Sequence, residues 1–338
     1  MTFFDRIDPE CRVALEAVAH LMPADWSLEP AARRQAGEAL LAAMTADQPP
    51  IETVRWQDRS IPGLPGEPDI AVRIYHPLGA SGPYPGLLFI HGGGMWGGSI
   101  AHEHVQAASL CSEQGAVVVS VAYRLAPEHP HPAPVHDCYA ACCWMADNAS
   151  ALQVDLTRLA VVGGSAGGGL ALGLALMARD QGGPRLCSVM ALYPMIDDRS
   201  ETPSAHEFTD LGIVWDRTRN IEGWSWYLSG QPADAYAAPA RAERLAGLPP
   251  IFIDVGELDL FRDEDIRFAQ RLMQAGVPTE LHVYPGAFHA SEFLAPAADL
   301  SRRILRTRSD ALRRALHPSG AATPSAESTG RQLQPDVS

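Results

Sequence analysis

The 338-residue chain contains no lysine, and the 26 lysine-plus-arginine positions are all arginine. A phosphate-binding P-loop needs a lysine after its second glycine, so this class of nucleotide site is excluded. Pyridoxal enzymes hold their cofactor as a lysine Schiff base, and they are excluded too. The chain also lacks an apolar run long enough to span a membrane. Its net charge of −14 argues against nucleic acid or an anionic membrane as the main partner.

The six cysteines form no C-x-x-C pair and show no zinc-finger spacing. Cys142 and Cys143 are adjacent, so their side chains point in different directions. We interpret the cysteines mostly as small buried side chains in a reducing compartment. The N-terminus has no basic segment followed by an apolar core, so no signal peptide is predicted. These features predict a cytoplasmic protein, and no metal, flavin or nicotinamide cofactor is implied.

Short apolar runs indicate a sheet that is buried on both faces. They cover residues 86–90, 116–121, 159–162, 189–193, 251–255 and 280–284. Helix-length segments follow five of them, at about 102–114, 135–149, 166–180, 262–276 and 297–316. Two alternating segments, around Val54 and Val72, come first and are expected to be antiparallel to their neighbours. The pattern predicts an α/β fold with a mostly parallel, eight-stranded sheet and helices on both faces.

Two parts of the chain fall outside this alternation. Residues 1–50 have helical spacing before any strand signal, so they must lie over another part of the molecule. Residues 198–245 interrupt two strands with a long, aromatic-rich insert. The aromatic side chains of the insert either line a substrate pocket or pack into the core, and the sequence leaves both interpretations open. Its aromatic side chains are Phe208, Trp215, Trp224, Trp226 and Tyr227. The polar segment 318–338 is predicted to be a disordered tail.

The run from Leu159 to Leu176 has the order strand, tight turn, helix, with a serine at the turn. Gly163-Gly164-Ser165-Ala166-Gly167 satisfies the G-x-S-x-G pattern of a nucleophile elbow. A dinucleotide-binding turn would need a second glycine where Ser165 stands. The pattern is common in glycine-rich proteins, so it needs support from the rest of the chain.

A nucleophilic serine needs a base, and the base needs an orienting carboxylate. In a parallel-sheet hydrolase these follow the serine in the order acid, histidine, each after a later strand. Asp259 and His289 fall at such strand ends. The competing acids are Asp254, which lies within a strand, Glu257, and Asp263, which begins a helix. His282 lies inside a strand and His317 ends the last helix, so neither is favoured as the base.

Acyl transfer also needs donors for the developing oxyanion. A glycine-rich loop, from His91 to Gly98, directly follows an apolar strand. The expected donors are the backbone N–H groups of Gly92, Gly93 and Gly94, joined by that of Ala166. His91 precedes the glycines at a strand end, so we expect it to hold its own loop rather than act as the base.

With these motifs in order, the chain resembles the hormone-sensitive-lipase family of α/β-hydrolases, the bacterial carboxylesterases, over about residues 50–315. The resemblance rests on the glycine loop, the run from Tyr123 to Pro130, the serine elbow, Asp259 with Arg262-Asp263-Glu264, and the segment from Gly286 to His289. It implies an α/β-hydrolase fold with a catalytic domain over 51–317. Residues 1–50 and 198–245 would form a helical cap.

By the same resemblance, Ser165 is the nucleophile, His289 the base and Asp259 the orienting acid. No cofactor is implied, and because relatives are often monomers or dimers, the resemblance implies a monomer or homodimer. Three positions depart from the family pattern. Gly164 replaces the polar side chain that usually precedes the serine, Leu260 replaces a common proline, and Ser291 replaces a common aromatic residue.

The sequence therefore predicts a serine carboxylesterase acting on short- to medium-chain acyl esters through an acyl-enzyme intermediate. The same triad would also serve an amidase or deacetylase acting on N-acyl or drug-like substrates. A non-catalytic binding protein on the same scaffold is the third hypothesis.

Overall fold

The computed structural model describes residues 2–18, 29–45, 51–79, 81–212 and 214–318, so residues 319–338 of the predicted tail lie outside it. The described strands are β1 (Val54–Ile61), β2 (Ile70–Pro77), β3 (Tyr84–Ile90), β4 (Val117–Ala122), β5 (Val154–Gly164), β6 (Ser188–Leu192), β7 (Ile251–Leu258) and β8 (Thr279–Phe288). The helices are α1 (Phe3–Arg6), α2 (Pro9–Val18), α3 (Pro30–Thr45), α4 (His104–Gln114), α5 (Ala133–Asp147), α6 (Ala149–Leu152), α7 (Ala166–Gln181), α8 (Pro203–Glu207), α9 (Arg217–Leu228), α10 (Arg262–Gln274), α11 (Ser291–Leu294) and α12 (Asp299–Leu316).

The eight strands of the described residues form one sheet in the order β1-β2-β4-β3-β5-β6-β7-β8. The pairs β1/β2 and β2/β4 are antiparallel, and every other neighbouring pair is parallel. Parallel strands start and end at the same edges, so the carboxyl ends of β3 and β5–β8 meet at one edge. The predicted fold, with its two antiparallel opening strands, is confirmed.

Alternate side chains of the central strands point to opposite faces of the sheet, as the two-residue period of a strand requires. They therefore pack into two core layers, one on each face. On β3, Leu87 and Phe89 belong to the layer that includes Cys111 of α4 and Leu312 of α12. Leu88 and its neighbours on the other face belong to the layer shared with α5, α7 and α10. Helices on both faces keep every β3 residue buried, which explains its continuous apolar sequence.

Strand β8 extends beyond the predicted boundary at residue 284 because Pro285 and Gly286 do not end it. The structure continues the strand to Phe288, which pairs with Leu258 across a register shift in β7. An edge strand tolerates proline, since its outer N–H groups need no partner within the sheet. The longer β8 brings its end directly to His289.

The N-terminal segment contacts the end of β8 and the insert that follows β6. The Asp8 N–H donates to Gly286 O at 3.0 Å, beside the end of β8. On α3, Arg33 makes a bidentate pair with Glu222 of α9. The insert between β6 and β7 contains α8, α9 and a 3₁₀ turn at Pro239–Arg241. In the described part of the chain, no helix has the length and apolarity to cross a membrane.

Candidate functional site

Ser165 lies at the turn between β5 and α7, with the backbone angles φ 55° and ψ −119°. This conformation is rare for a residue with a side chain, and the flanking backbone explains how it is held. A Cβ at Gly163 would lie 2.2 Å from Gly167 O, and one at Gly167 would lie 2.1 Å from Ile90 O. Both positions therefore admit only glycine, as the elbow pattern requires. Ser165 is 8% exposed and lines a cavity.

The structure brings together the three residues expected to form the triad. His289 Nε2 lies 3.0 Å from Ser165 Oγ, and His289 Nδ1 lies 2.8 Å from Asp259 Oδ2. Asp259 is 1% exposed, and its Oδ1 accepts a hydrogen bond from the Phe261 N–H at 3.0 Å. The His289 ring has Phe261 edge-on at a centroid distance of 5.3 Å. The contacts hold the carboxylate and the imidazole in the geometry that a serine base needs.

The competing acids and histidines have other partners. Asp254 pairs with Arg308, Glu257 accepts from the Gly286 N–H, Asp263 accepts from the Ser204 N–H, His282 contacts Glu280, and His317 contacts Gln114 O. None of these five side chains lines the cavity around Ser165.

The glycine loop after β3 lies beside Ser165, but one of its N–H groups has a partner. The Gly92 N–H donates to Glu103 Oε1 at 2.9 Å. Because this bond occupies the Gly92 N–H, we favour the other three groups as the oxyanion donors. Gly93, Gly94 and Ala166 remain as candidates. A Cβ at Gly94 would lie 2.3 Å from the Trp215 ring, so this part of the loop is packed against the insert.

His91 is buried at the base of this loop and has the environment of a neutral side chain. Its ring stacks on Tyr123 at a centroid distance of 4.2 Å, and the Tyr123 hydroxyl donates to His91 O at 3.0 Å. Burial lowers the pKa of His91 to about 4. The residue therefore fits a role in holding the loop, as expected from its position.

Glu103 lines the cavity and was not singled out by the sequence. It directly precedes α4, eleven residues after its partner Gly92. Burial raises the pKa of Glu103 to about 7, against the opposing effect of the Gly92 hydrogen bond. A single acidic residue eleven positions after a glycine belongs to no sequence motif. Only the folded structure shows that Glu103 and Gly92 are partners.

The cavity has a volume of about 390 Å³, and the segments that wall it come from separate parts of the chain. Ser165 and His289 line the cavity, and α3 contributes Arg33 and Arg34. The remaining walls include Trp96, Val214, Trp215, Arg219, Phe293 and Leu294.

The aromatic residues of the insert divide between the two expected roles. Trp215 lines the cavity, and its indole N–H donates to Asn220 Oδ1 at 3.3 Å. Trp226 packs edge-on against Trp96 at 5.5 Å, outside the cavity lining. The other three, Phe208, Trp224 and Tyr227, are at most 2% exposed and belong to the core. One of the five rings is thus placed to contact a substrate.

Metal binding at this site would need a cluster of ligating side chains. Across the described ranges, no group of three His, Cys, Asp or Glu residues could hold a metal ion.

Gly164, unlike its glycine neighbours, has space for a side chain. A Cβ there would lie 3.5 Å from the Tyr193 ring and hydroxyl, an ordinary contact distance. We expect Gly164→Ala to keep ester turnover within about threefold of wild type, since sites with compatible backbone tolerate this change. Gly163→Ala should lose soluble protein or activity, because its Cβ would overlap the backbone. Purified yield, thermal midpoint and turnover of both variants test this, and equal behaviour would contradict it.

Comparisons with known proteins agree with the fold. A family model described as alpha/beta hydrolase fold matches residues 87–293. Carboxylesterase NlhH of Mycobacterium tuberculosis is 38% identical over 275 residues, covering 79% of this chain and 85% of that protein. Esterase LipI of the same organism is 37% identical over 254 residues, covering 69% and 78%.

A solved structure named Bacterial Heroin Esterase matches with a TM-score of 0.87 and 40% identity, covering 93% of this chain and 99% of that chain. The residues matched by the family model include β4–β8, the elbow, Asp259 and His289. The chain therefore belongs to the α/β-hydrolase family, in the hormone-sensitive-lipase-like group of carboxylic ester hydrolases.

Proposed function

We propose that this chain is a serine carboxylesterase that hydrolyses short- to medium-chain acyl esters through an acyl-enzyme intermediate. The observation that carries this is the unbroken series of contacts from Asp259 through His289 to Ser165, beside the glycine loop. The relatives named carboxylesterase and esterase support the same reaction class.

In the acylation step, Ser165 Oγ attacks the ester carbonyl while His289 Nε2 accepts the serine proton. The carbonyl oxygen becomes an oxyanion, which the N–H groups of Gly93, Gly94 and Ala166 would stabilise. Collapse of this intermediate breaks the bond to the alcohol, which leaves with the proton from His289. Asp259 selects the tautomer of the neutral imidazole before the attack and stabilises the imidazolium that forms after it.

Deacylation repeats the same chemistry with water in place of the serine. His289 accepts a proton from water as the water oxygen attacks the acyl carbonyl, and the oxyanion forms at the same donors. The bond to Ser165 Oγ then breaks, and His289 returns the proton to the serine. The free acid leaves, and the enzyme is restored.

The cavity supports a small substrate. Its volume of about 390 Å³ is near the lower end of the 300–1,000 Å³ range of small-molecule sites. Trp96 and Trp215 stack at a centroid distance of 6.4 Å and give this wall an apolar, aromatic surface. An ester with a short acyl chain and an apolar alcohol group fits both features.

We also propose the domain boundaries, the cellular location and the oligomeric state. Residues 51–317 would be the catalytic domain, and residues 1–50 and 198–245 the cap. All six cysteines are free, which supports a reducing, cytoplasmic location. The oligomeric state stays a prediction of monomer or homodimer.

A fluorophosphonate probe tests the proposed function, because it reacts with a serine that a base activates. We expect the wild-type protein to gain one probe mass at Ser165, located by peptide mass spectrometry. Prior heat denaturation should abolish labelling. A native protein that stays unlabelled and also fails to hydrolyse 4-nitrophenyl butyrate would favour a binding protein on this scaffold.

A further inference from the structure

The empty position at Gly164 is covered by the ring of Tyr193, a residue that directly follows β6. The Tyr193 ring also lies edge-on to the His289 ring, with centroids 4.9 Å apart. One aromatic side chain thus contacts the elbow that presents Ser165 and the imidazole that would serve it. Tyr193 has a positive φ of 34°, an uncommon conformation that needs support from its surroundings.

That support comes from a closed ring of contacts beneath the site. The Tyr193 hydroxyl donates to Glu292 Oε1 at 2.8 Å, and Arg308 Nη1 donates to the same oxygen at 2.6 Å. Arg308 Nε and Nη2 donate to the Asp254 carboxylate at 2.6 and 3.1 Å. The Tyr193 N–H donates to Asp254 O at 2.6 Å, which closes the ring.

The ring joins the segments that carry the candidate triad. Tyr193 follows the strand beside the elbow, and Asp254 lies on β7, which leads to Asp259. Glu292 lies three residues after His289, on α11, and Arg308 fastens that segment to β7 from α12. A displacement of any one of these segments would break at least one hydrogen bond of the ring.

Stability alone is a weak reason for such an arrangement. Asp254 is fully buried, and Glu292 and Arg308 are each 7% exposed. Removing charged groups from water costs several kcal/mol per ion, and apolar side chains of similar volume often stabilise a protein as well or better. The ring does, however, fix the directions of its members, because each of its contacts is a hydrogen bond with a defined donor and acceptor.

We propose that Tyr193, held by Glu292 and Arg308, is a positioning residue that fixes the His289 imidazole relative to Ser165. This inference rests on the proposed esterase function. Misplacing a catalytic group by about 1 Å can cost about 100-fold in rate, so small shifts of His289 have large effects.

The test removes single groups from the ring and compares them with a matched change elsewhere. Tyr193→Phe deletes only the hydroxyl group and keeps the aromatic side chain against Gly164 and His289. Tyr139→Phe is the control, because the Tyr139 hydroxyl makes a comparable hydrogen bond to Gly183 O at 2.7 Å, outside the cavity lining. Steady-state kinetics with 4-nitrophenyl butyrate and thermal midpoints are measured for wild type and both variants.

We expect Tyr193→Phe to lower kcat by about 10- to 100-fold while KM stays within about twofold. Tyr139→Phe should leave both constants unchanged. Glu292→Gln keeps an oxygen acceptor, so its kcat should exceed that of Glu292→Ala. Two results would overturn the inference. The first is a kcat of Tyr193→Phe equal to that of Tyr139→Phe. The second is a change in the KM and kcat of Tyr193→Phe that its lower thermal midpoint fully explains.

The outcomes also separate this inference from the proposed function. Wild-type protein that is labelled by the fluorophosphonate and turns over the ester upholds the proposed function. A normal rate of Tyr193→Phe labelling and turnover then overturns the positioning role alone.

Discussion

Replacing Ser165 by alanine is expected to reduce kcat for 4-nitrophenyl butyrate by about six orders of magnitude. The variant lacks the Oγ atom that lies 3.0 Å from His289 Nε2, so no acyl-enzyme can form. Loss of the nucleophile in a comparable serine hydrolase costs about 10⁶ in kcat, which leaves only binding and oxyanion stabilisation. Turnover measured with highly purified protein, and the absence of an acyl adduct in intact-mass spectra, check the result.

Ser120→Ala is the matched control for this change. Ser120 is fully buried on β4, and its hydroxyl has no hydrogen-bond partner among the described residues. The control should therefore keep wild-type turnover. Ester hydrolysis by Ser165→Ala at more than about a thousandth of the wild-type rate would show that another group is the nucleophile.

Asp259→Asn is expected to lower kcat by about 10⁴, the cost of the same change in a serine-protease triad. The Asp259 carboxylate can accept only, so it selects the His289 tautomer with a proton on Nδ1 and a free Nε2 facing Ser165. An asparagine amide can donate instead and favours the opposite tautomer. The side chain keeps its size, so the fold and thermal midpoint should change little. Steady-state kinetics and a thermal melt of the same sample measure both.

Asp263→Asn makes the same charge change four residues away. The Asp263 carboxylate accepts from the Ser204 N–H and pairs with Arg262, outside the cavity lining. We expect its kcat to remain within about threefold of wild type. A larger loss for Asp263→Asn than for Asp259→Asn would reassign the orienting carboxylate.

The fold and the family were predictable because their signals repeat along the chain. Successive apolar runs with intervening helices define a parallel sheet, and its strand ends meet at one edge. Asp259 and His289 could be chosen because each falls just after a strand that follows the serine strand. The rival acid Asp254 lies inside a strand, which disfavours it as the orienting carboxylate, and in the structure it pairs with Arg308.

Contacts between distant segments were not predictable in the same way. The Gly92 N–H was expected to face the oxyanion, but the Glu103 carboxylate accepts it. Composition could not distinguish Trp215 from Trp224, since both are tryptophans in one insert, and only packing exposes the first to the cavity. The role inferred for Tyr193 depends on Arg308, 115 residues later, and no local pattern links the two.

The origin of the cavity walls has a consequence for how such an enzyme can diverge. The proposed chemical groups stand on loops fixed by the sheet, whereas Arg33 and Trp215 belong to segments outside it. Substitutions in α3 or in the loop before α9 can therefore reshape the cavity without moving the reacting atoms. Laboratory selection for a new ester has most freedom at these walls and least at the elbow, where the backbone leaves no space for a side chain at Gly163 and Gly167.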